Sequence, residues 1–410
     1  MWVTGYAYPW DVVDDPGFVE RARDLGVDEV AIAASYHSTR AATPWQPDRT
    51  AVLARAAGLY RPVREQAWAG HRLRPEPGPW AETEQGRDRV AEAVEAVRAG
   101  GLRTALWIVL THNSALGNGN PDATVRNCFG ENYPWALCPA RDEVREYAAT
   151  LAAECVRDLR PDTVILESCG QMGAVHQHQH EKTDAVWAPA VARLLSICCC
   201  GACTASWQRA GLDAEQTVRT LREQVRAIMA TGDLGATADG LPVEVRDTIL
   251  RARQQHTDAL RAAVLAEVGT AGRVVLHASA DPWATGALPG LTPVSLDDVD
   301  AVVLPCWQVG PPALDAVRAT SAGVPSTVDV GGYVTAVAAQ PVADIAGYVR
   351  DLHAAGAGEL HLYHLGLAGP GRLPYLRDAV TAAHVPPCVP SGARNGHHLV
   401  GSIPYARSFS

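Results

Sequence analysis

Short apolar runs alternate with amphipathic helical patterns along almost the whole chain, and this alternation constrains the fold more than any other feature. Several runs, such as "TALWIVLT" and "AVVLP", are apolar at consecutive positions, as strands buried on both faces of a parallel sheet are. The predicted strands span residues 2–8, 29–34, 103–111, 163–167, 273–278, 301–305, 326–330 and 359–364. Eight strands that alternate with helices predict an α/β fold, a (β/α)8 TIM barrel rather than an open sheet.

Two long segments interrupt the alternation. Residues 41–86 are rich in Pro, Arg and Trp and predict an irregular or β-rich insertion after strand two. Residues 186–270 are too long for one crossover, and their helical pattern predicts a helical insertion after strand four. We therefore expect a barrel over residues 1–385 that carries both insertions, followed by a C-terminal tail over residues 386–410.

Composition and charge exclude several classes of partner. The chain has 410 residues and a net charge of −10, which argues against nucleic acid or an anionic membrane as the main partner. No apolar run approaches the roughly 20 residues of a membrane helix, and the N-terminus "MWVTGYAYPWD" lacks a signal-peptide pattern. We expect a cytoplasmic protein with reduced thiols. Whether it is a monomer or a homo-oligomer assembled through the inserted helices stays open.

The loops that follow the strands build the active site in barrels of this kind, and this rule selects the candidate site residues. The polar and aromatic side chains at the predicted strand ends are Tyr36, His37, Arg40, His112, Asn113, Glu167, Asp281, Trp307, Asp329 and Tyr363. Aromatic rings and carboxylates at one mouth favour a small carbohydrate or glycoside substrate, because sugars stack on rings and their cleavage uses paired acids. No G-x-G-x-x-G follows the first strand and no Walker loop occurs, so we expect no organic cofactor.

The stretch "SICCCGACTASW" places four cysteines within six positions. Cys198, Cys200 and Cys203 form a C-x-C-x-x-C array whose thiolates could bind one tetrahedral zinc, and Cys138 is the best candidate for the fourth ligand. Cys199 leaves open which of the adjacent thiols bind. One alternative is that these cysteines are simply buried small residues, since free Cys is often buried. The other is a catalytic thiol, which is less compatible with so crowded an array because it needs one isolated Cys beside a base. We expect a structural zinc that ties the second insertion to the helix before strand four.

Short motifs around these cysteines carry a resemblance to a known group of enzymes. They are Tyr36-His37, His112-Asn113-Ser114, Asn127-Cys128-Phe129-Gly130, Leu137-Cys138-Pro139, Glu167-Ser168 and His180-Glu181-Lys182. Together with the thiol array they resemble bacterial TIM-barrel glycosyl hydrolases and, more distantly, the zinc-bearing β-galactosidases of glycoside hydrolase family 42. The resemblance covers roughly residues 30–210 and implies a glycoside hydrolase acting on O-glycosyl bonds.

Glu167 is the first candidate for catalysis, because a carboxylate at the end of the buried run "DTVILE" has no packing reason to be there. In the resembled β-galactosidases the acid/base glutamate also follows strand four, although there it follows Asn and here it follows Leu166. We expect Glu167 to act as the general acid/base. Hydrolysis normally needs a second carboxylate, for which the candidates are Asp329, Asp281 and Glu181, with Asp329 placed like the strand-seven nucleophile of the resembled enzymes.

The run from His176 to His180 leaves room for a different chemistry. Its three imidazoles could bind a divalent ion, but we expect contacts to substrate hydroxyls, which also include His180 and Glu181, as the main use of this segment. One alternative is therefore a metal-dependent sugar isomerase or epimerase that uses the His run, Glu167 and Asp329 as ligands. A second alternative is a carbohydrate-binding barrel without turnover. Arg40 would pair with a substrate carboxylate or with Glu167.

Overall fold

A closed ring of parallel strands forms the centre of the molecule. The computed structural model describes residues 1–81, 83–84, 86–176, 182–183, 186–269, 271–338 and 342–385. Over these residues the ring consists of β1 (Trp2–Ala7), β2 (Glu29–Tyr36), β3 (Arg103–Val109), β4 (Thr163–Glu167), β5 (Arg273–His277), β6 (Ala301–Pro305), β7 (Asp329–Thr335) and β8 (Glu359–Tyr363). Neighbours in sequence pair in parallel, and β1 pairs with both β2 and β8, which closes the ring. The predicted (β/α)8 barrel is confirmed.

Helices connect the strands around the outside of the ring. The main ones are Phe18–Leu25, Arg89–Ala99, Asp142–Val156, Val243–Val268, Pro311–Gly323, Ile345–Ala354 and Leu373–His384. The first buries Phe18, Ala22 and Leu25, which share one face at helical spacing, and ends at Gly26. Gly26 has a φ of 84°, a left-handed conformation that glycine adopts without steric cost.

Additional elements decorate the barrel between its strands. After β2, Thr39–Ala42 and Ala51–Ala54 form a hairpin, Gly58–Leu59 pairs antiparallel with β2, and Glu76–Pro77 pairs with Gly58–Leu59. After β3 come the short helices Ser114–Gly119 and Pro121–Ala123 and a hairpin formed by Thr124–Arg126 with Asn132–Leu137. After β4 come the helices Pro189–Leu195, Gly201–Arg209 and Ala214–Thr231. Short helices also cover Pro9–Val13, Ser295–Asp298 and Pro370–Arg372. No helix among the described residues has the length and apolarity needed to cross a bilayer.

The seventh strand lies further along the chain than the sequence predicts. The predicted strand covers residues 326–330, whereas β7 covers Asp329–Thr335 and includes Gly331 and Gly332. These glycines look like a turn in the sequence, but here they make room for close packing. A Cβ on Gly331 would lie 3.1 Å from both His361 and Val303, and one on Gly332 would lie 3.3 Å from Leu352.

The inner side of the barrel is unusually polar. The rings of Trp107, His277, Tyr333 and His361, which come from four different strands, all pack around Tyr6 of β1. Only side chains that point to the axis of the ring can meet in this way. The outward positions of β8, in contrast, are Leu360 and Leu362, both fully buried. Along the strand, inward polar residues thus alternate with outward leucines.

Candidate active site

Glu167, the last residue of β4, places a carboxylate at the mouth of the barrel. Its Oε2 accepts a hydrogen bond of 2.9 Å from Nε1 of Trp107 on β3. Nδ1 of His277, the last residue of β5, lies 3.2 Å from the same oxygen, which is ion-pairing distance. The side chain of Glu167 is only 5% exposed. Two neighbouring strands therefore fix this carboxylate in one orientation.

The backbone turns sharply directly after Glu167. Ser168 has a φ of 52°, a left-handed conformation that residues with a side chain seldom adopt. Its backbone is fixed on both sides, since its N–H donates to the carbonyl of Ala287 at 2.9 Å and its carbonyl accepts from the Thr111 hydroxyl at 2.7 Å. Backbone strain of this kind concentrates at functional sites. The turn thus supports the assignment of Glu167 as a functional residue.

The surroundings of Glu167 favour its anionic form. Burial raises the pKa of this carboxyl, but the contact with His277 and, to a smaller extent, the proximity of His37 and His176 lower it more, so its net pKa lies below the usual glutamate range. Glu167 therefore rests as an anion at neutral pH. An anionic carboxylate suits a base, a nucleophile or a stabiliser of positive charge, and it can donate a proton only after taking one up.

Aromatic side chains form the wall around this carboxylate. Tyr36 is buried at the end of β2, and its hydroxyl lies 3.4 Å from the hydroxyl of Tyr363 at the end of β8. Both rings pack edge-on against Trp107. Trp307 follows β6 and is 40% exposed, with its ring 5.4 Å from that of Tyr333. Tyr36, Tyr363 and Trp307, all predicted from the sequence, thus meet at one mouth.

Three imidazoles lie in a row across the loops after β2, β3 and β4. The ring of His37 stacks on Tyr36 and lies 4.6 Å from the ring of His112, which lies 5.3 Å from that of His176. Burial lowers the pKa of both His37 and His112. Nδ1 of His112 is buried without a hydrogen-bond partner. His37 and His112 thus offer neutral imidazole nitrogens, which can bind sugar hydroxyls as donors or acceptors.

A cavity of about 560 Å³ opens beside this row. Its polar and aromatic lining residues include His176, Ser279, Thr285, Trp307 and Gln308. This volume is in the range of small-molecule sites. Glu167 does not line the cavity. His176 does line it, and His176 also lowers the pKa of Glu167.

Several predicted substrate contacts have structural partners instead. The Asn113 side chain caps helix Ser114–Gly119 by accepting from the N–H of Leu116, and its Nδ2 lies 3.2 Å from the Tyr147 hydroxyl. Asp281 follows β5 but is exposed, and its carboxylate accepts from the N–H of Trp283. Arg40 is exposed on the hairpin after β2, and within the described residues it does not pair with Glu167.

The predicted position of Asp329 is wrong. Asp329 is the first residue of β7 and therefore lies at the end of the barrel opposite to Glu167, the last residue of β4. There its carboxylate pairs with Arg273 at 2.8 Å and is 62% exposed. The error follows from ending the seventh strand at residue 330, whereas β7 continues through Gly331 and Gly332 to Thr335. Asp329 cannot share a substrate, or a metal ion, with Glu167.

His180 and Glu181 lie outside the described residues. Of the three candidates for a second carboxylate, Asp281 is exposed and accepts from the N–H of Trp283, and Asp329 lies at the opposite end of the barrel. Glu181 is the candidate that remains. The ligand set of the isomerase alternative loses Asp329. In the part of the chain that the structure describes, the only group of side chains close enough to hold a metal ion consists of cysteines.

That group consists of Cys138, Cys198, Cys200 and Cys203, whose sulfur atoms all lie within 4.8 Å of one another. Sγ of Cys138 lies 3.8 Å from that of Cys200 and 3.6 Å from that of Cys203. Four sulfurs at about 2.3 Å from a tetrahedral zinc would be about 3.8 Å apart, whereas a disulfide needs about 2.05 Å. The buried cluster could therefore bind a metal ion, and its donor set fits zinc. Cys199 stays outside it.

The cysteine cluster joins two segments of the chain, the residue after the second hairpin strand and the start of a helix in the second insertion. Cys138 directly follows the hairpin strand Asn132–Leu137, Cys200 directly precedes helix Gly201–Arg209, and Cys203 lies in the first turn of that helix. Hydrogen bonding within the cluster lowers the pKa of the Cys200 thiol and raises the pKa of the Cys138 and Cys203 thiols, so it favours a thiolate on Cys200. The buried guanidinium of Arg253 lies close enough to interact electrostatically with the thiols of Cys138, Cys198 and Cys203.

The sequence did not single out the residues that hold Glu167 in place. Trp107, His277 and Tyr6 all lie inside apolar strand runs, where a ring usually belongs to the core. The available signal was His277 itself, an imidazole that ends the buried run "VVLH" as Glu167 ends "VILE". Two ionisable residues at equivalent ends of adjacent parallel strands must be neighbours.

Comparison with known proteins shows the fold but no close relative. No protein-family model matches the sequence, and no curated protein matches it. The catalytic domain of a β-amylase from Paenibacillus polymyxa aligns over 94% of this chain and 98% of its own, with a TM-score of 0.55 and 11% identity. The chain has the barrel fold of glycoside hydrolases.

Two further solved structures agree. The glycoside hydrolase domain of PgaB (BpsB) from Bordetella bronchiseptica aligns over 93% of this chain and 99% of its own, with a TM-score of 0.53 and 15% identity. A family 42 β-galactosidase from G. stearothermophilus aligns over 93% of this chain and 56% of its own, with a TM-score of 0.54 and 9% identity. The expected distant likeness is confirmed at the level of the fold.

Proposed function

We propose that this protein is an enzyme that cleaves a glycoside at the mouth of the barrel, with Glu167 as the essential carboxylate. The observation that carries this proposal is the setting of Glu167. A buried carboxylate that Trp107 and His277 hold as an anion, on a rigid turn at the catalytic end of a barrel, has no evident structural task.

The walls of the mouth suit a sugar. Tyr36, Tyr363 and Trp307 offer apolar ring faces, on which the C–H faces of a pyranose stack. The imidazoles of His37 and His112 offer hydrogen bonds to hydroxyl groups. The adjoining cavity has room for a further sugar ring or an aglycone.

The anionic state of Glu167 assigns its part in the reaction. As a base or nucleophile it would act directly on the reacting centre or on a water molecule, and the developing oxocarbenium charge would be stabilised by its negative charge. A proton donor must then come from elsewhere. We propose Glu181, which follows β4 in the sequence, as the second carboxylate.

We further propose that the cysteine cluster binds a structural zinc ion. Four buried thiols with tetrahedral spacing fit a closed site without an open ligand position, which is typical of structural rather than catalytic zinc. The ion would hold helix Gly201–Arg209 against the segment that precedes helix Asp142–Val156, and it would take no part in the reaction.

A panel of aryl glycosides tests the proposed reaction directly. The wild-type protein should release the chromophore from at least one sugar, and chelator should leave that rate unchanged, since no metal takes part in the chemistry. Glu167→Gln should lower turnover by a factor of about 10² to 10⁴ with the fold intact. Asp329→Asn is the matched control, a carboxylate at the opposite end of the barrel, and it should keep nearly full activity.

Three results would contradict the proposal. Glu167→Gln with near-normal turnover would remove this residue from the mechanism. A reaction that stops with chelator and recovers with a divalent ion would favour a metal-dependent isomerase. Sugar binding without any turnover would leave a carbohydrate-binding barrel.

A further inference from the structure

One buried positive charge in the second insertion has no carboxylate beside it. Arg253 lies on helix Val243–Val268 and is buried. Its Nη1 donates to the carbonyl of Ser196 at 3.1 Å, whereas its Nε is buried without a hydrogen-bond partner. Within the described part of the chain, its guanidinium forms no ion pair with a carboxylate. Because a guanidinium keeps its proton in proteins, a full positive charge is buried here.

The immediate surroundings of Arg253 do not balance this charge. Buried cations are normally paired, since a charge without a counter-charge is unfavourable inside a protein. The ring of Trp283 lies 5.4 Å from the guanidinium carbon, and such a contact offsets only a small part of the cost. The small cavity beside Arg253 is lined by uncharged side chains, among them Gln171, Thr257 and Thr292. The balancing charge must therefore come from another group.

The cysteine cluster is close to Arg253 in the fold. Ser196, whose carbonyl accepts from Arg253, lies two residues before Cys198 in the chain. Ile249 and Ala252, on the same helix as Arg253, belong to the hydrophobic core that also contains the four cysteines of the cluster. The guanidinium is thus held at the same segment that supplies Cys198.

The groups that favour the charged form of Arg253 are mostly thiols. Burial lowers the pKa of its guanidinium, and four groups act in the opposite direction; in decreasing order these are Cys203, Cys198, Cys138 and Asp281. Asp281 is exposed, so water and salt screen its carboxylate. The cluster is therefore the main source of negative charge available to Arg253.

Zinc binding would turn the cluster into an anion. Four thiolates around one divalent zinc ion leave a double negative charge, in a site buried among apolar side chains such as Leu194 and Trp207. Other basic groups nearby are already engaged. Arg145 donates to the carbonyl of Pro139 at 2.8 Å, but its charge is paired with Asp142.

His256 does not supply a positive charge either. Its Nε2 lies 3.1 Å from the Ser206 hydroxyl, on the helix that carries Cys203. Burial lowers the pKa of His256 below its ordinary value, so this imidazole is neutral at pH 7. Arg253 is then the cation that is both buried and free of a carboxylate, beside a cluster that would hold an excess of negative charge.

We propose that Arg253 is the counter-cation of the zinc–thiolate cluster, whose buried negative charge its guanidinium partly balances. The inference rests on the proposed zinc site and adds to it a residue that binds no metal but determines how tightly the metal is held. It also gives the buried guanidinium the counter-charge that it otherwise lacks. Helix Val243–Val268 would be attached to the cluster through this charge.

Zinc affinity tests the inference, measured by competition between the zinc-loaded protein and a chromophoric chelator. Arg253→Gln removes the charge but keeps a donor for the Ser196 carbonyl, and it should weaken zinc binding by about 10- to 100-fold, as the loss of groups that support metal ligands typically does. Arg253→Lys keeps the positive charge and should retain most of the affinity. The comparison of these two variants isolates the charge.

Two controls accompany the measurement. Arg251→Gln makes the same change at an exposed position of the same helix, where the guanidinium contacts the Thr248 hydroxyl, and it should leave zinc affinity unchanged. Cobalt(II) bound in place of zinc gives a sulfur-to-metal charge-transfer band. This band should persist in every variant, because all four thiolates are still present.

Each outcome decides a separate point. Equal zinc affinity in the wild type and in Arg253→Gln would overturn the inference and leave the zinc site in place. A loss in Arg251→Gln as large as that in Arg253→Gln would also overturn it, since the effect would then not depend on the buried charge. If Arg253→Gln does not fold, Arg253→Lys decides alone, and a loss of more than about tenfold despite the retained charge would count against the inference. Wild-type protein that binds no zinc would contradict the proposed zinc site itself.

Discussion

Removal of one thiol from the cysteine cluster should destabilise the barrel by an amount that follows from its position in the chain. Cys138 and Cys200 are 62 residues apart in sequence, so a zinc ion that joins them closes a loop of that length. Such a cross-link removes chain entropy from the unfolded state worth about 4 kcal/mol at 25 °C. Cys138→Ala should lower the free energy of unfolding by that amount. For a chain of 410 residues this corresponds to a fall in Tm of about 5 °C.

Scanning calorimetry combined with metal analysis provides the assay. The matched control is Cys199→Ala, because Cys199 adjoins the cluster in sequence but lies outside the group of four sulfurs, and its thiol donates to the carbonyl of Ile197. This variant should keep one zinc per chain and change the stability by no more than about 0.5 kcal/mol. Equal melting temperatures for Cys138→Ala and Cys199→Ala would refute the reasoning. So would wild-type protein, purified without a histidine tag, that carries much less than one zinc per chain.

Three further predictions concern the barrel itself. His277→Gln should raise the pKa of Glu167, because the group that lowers it is lost; since Glu167 acts as an anion, the acid-side fall of the pH–rate profile should move to higher pH. In the wild-type protein the stability contributed by ionised Glu167 should be present above the ordinary glutamate pKa and disappear as pH falls through the lowered value, which acid titration of unfolding can check. Gly331→Ala should cost about 1–3 kcal/mol in chemical denaturation, because its Cβ would press on His361 and Val303.

The strands and their order could be predicted because a parallel barrel leaves a strong local signal. Each strand is buried on both faces, so it appears as a short apolar run between amphipathic helices. Residues 163–167 and 301–305 are predicted with the same bounds that the structure has. Glu167 stands out for the same reason, because a carboxylate at the end of such a run has no partner within it.

The partners of Glu167 could not be predicted with the same ease, because they depend on which side of a strand faces the axis. In "ELHLY", Glu359, His361 and Tyr363 alternate with leucines. This alternation indicates that one face of the strand, the face toward the barrel axis, is polar. In the sequence the segment is easily taken for an ordinary buried strand, because the polar residues lie between leucines. The position of Asp329 was wrong because the predicted strand ends at residue 330, whereas two glycines that relieve crowding allow β7 to continue to Thr335.

The most direct test of the central claim is a crystal structure of the protein with an iminosugar, whose configuration matches the aryl glycoside that the enzyme cleaves fastest. The ring nitrogen of such a compound is a cation and mimics the charge of the reacting sugar. We predict that this nitrogen lies about 3 Å from the free Oε1 of Glu167, with the sugar ring against Tyr36 or Tyr363. An iminosugar bound elsewhere, with Glu167 still covered by packed side chains, would contradict the account.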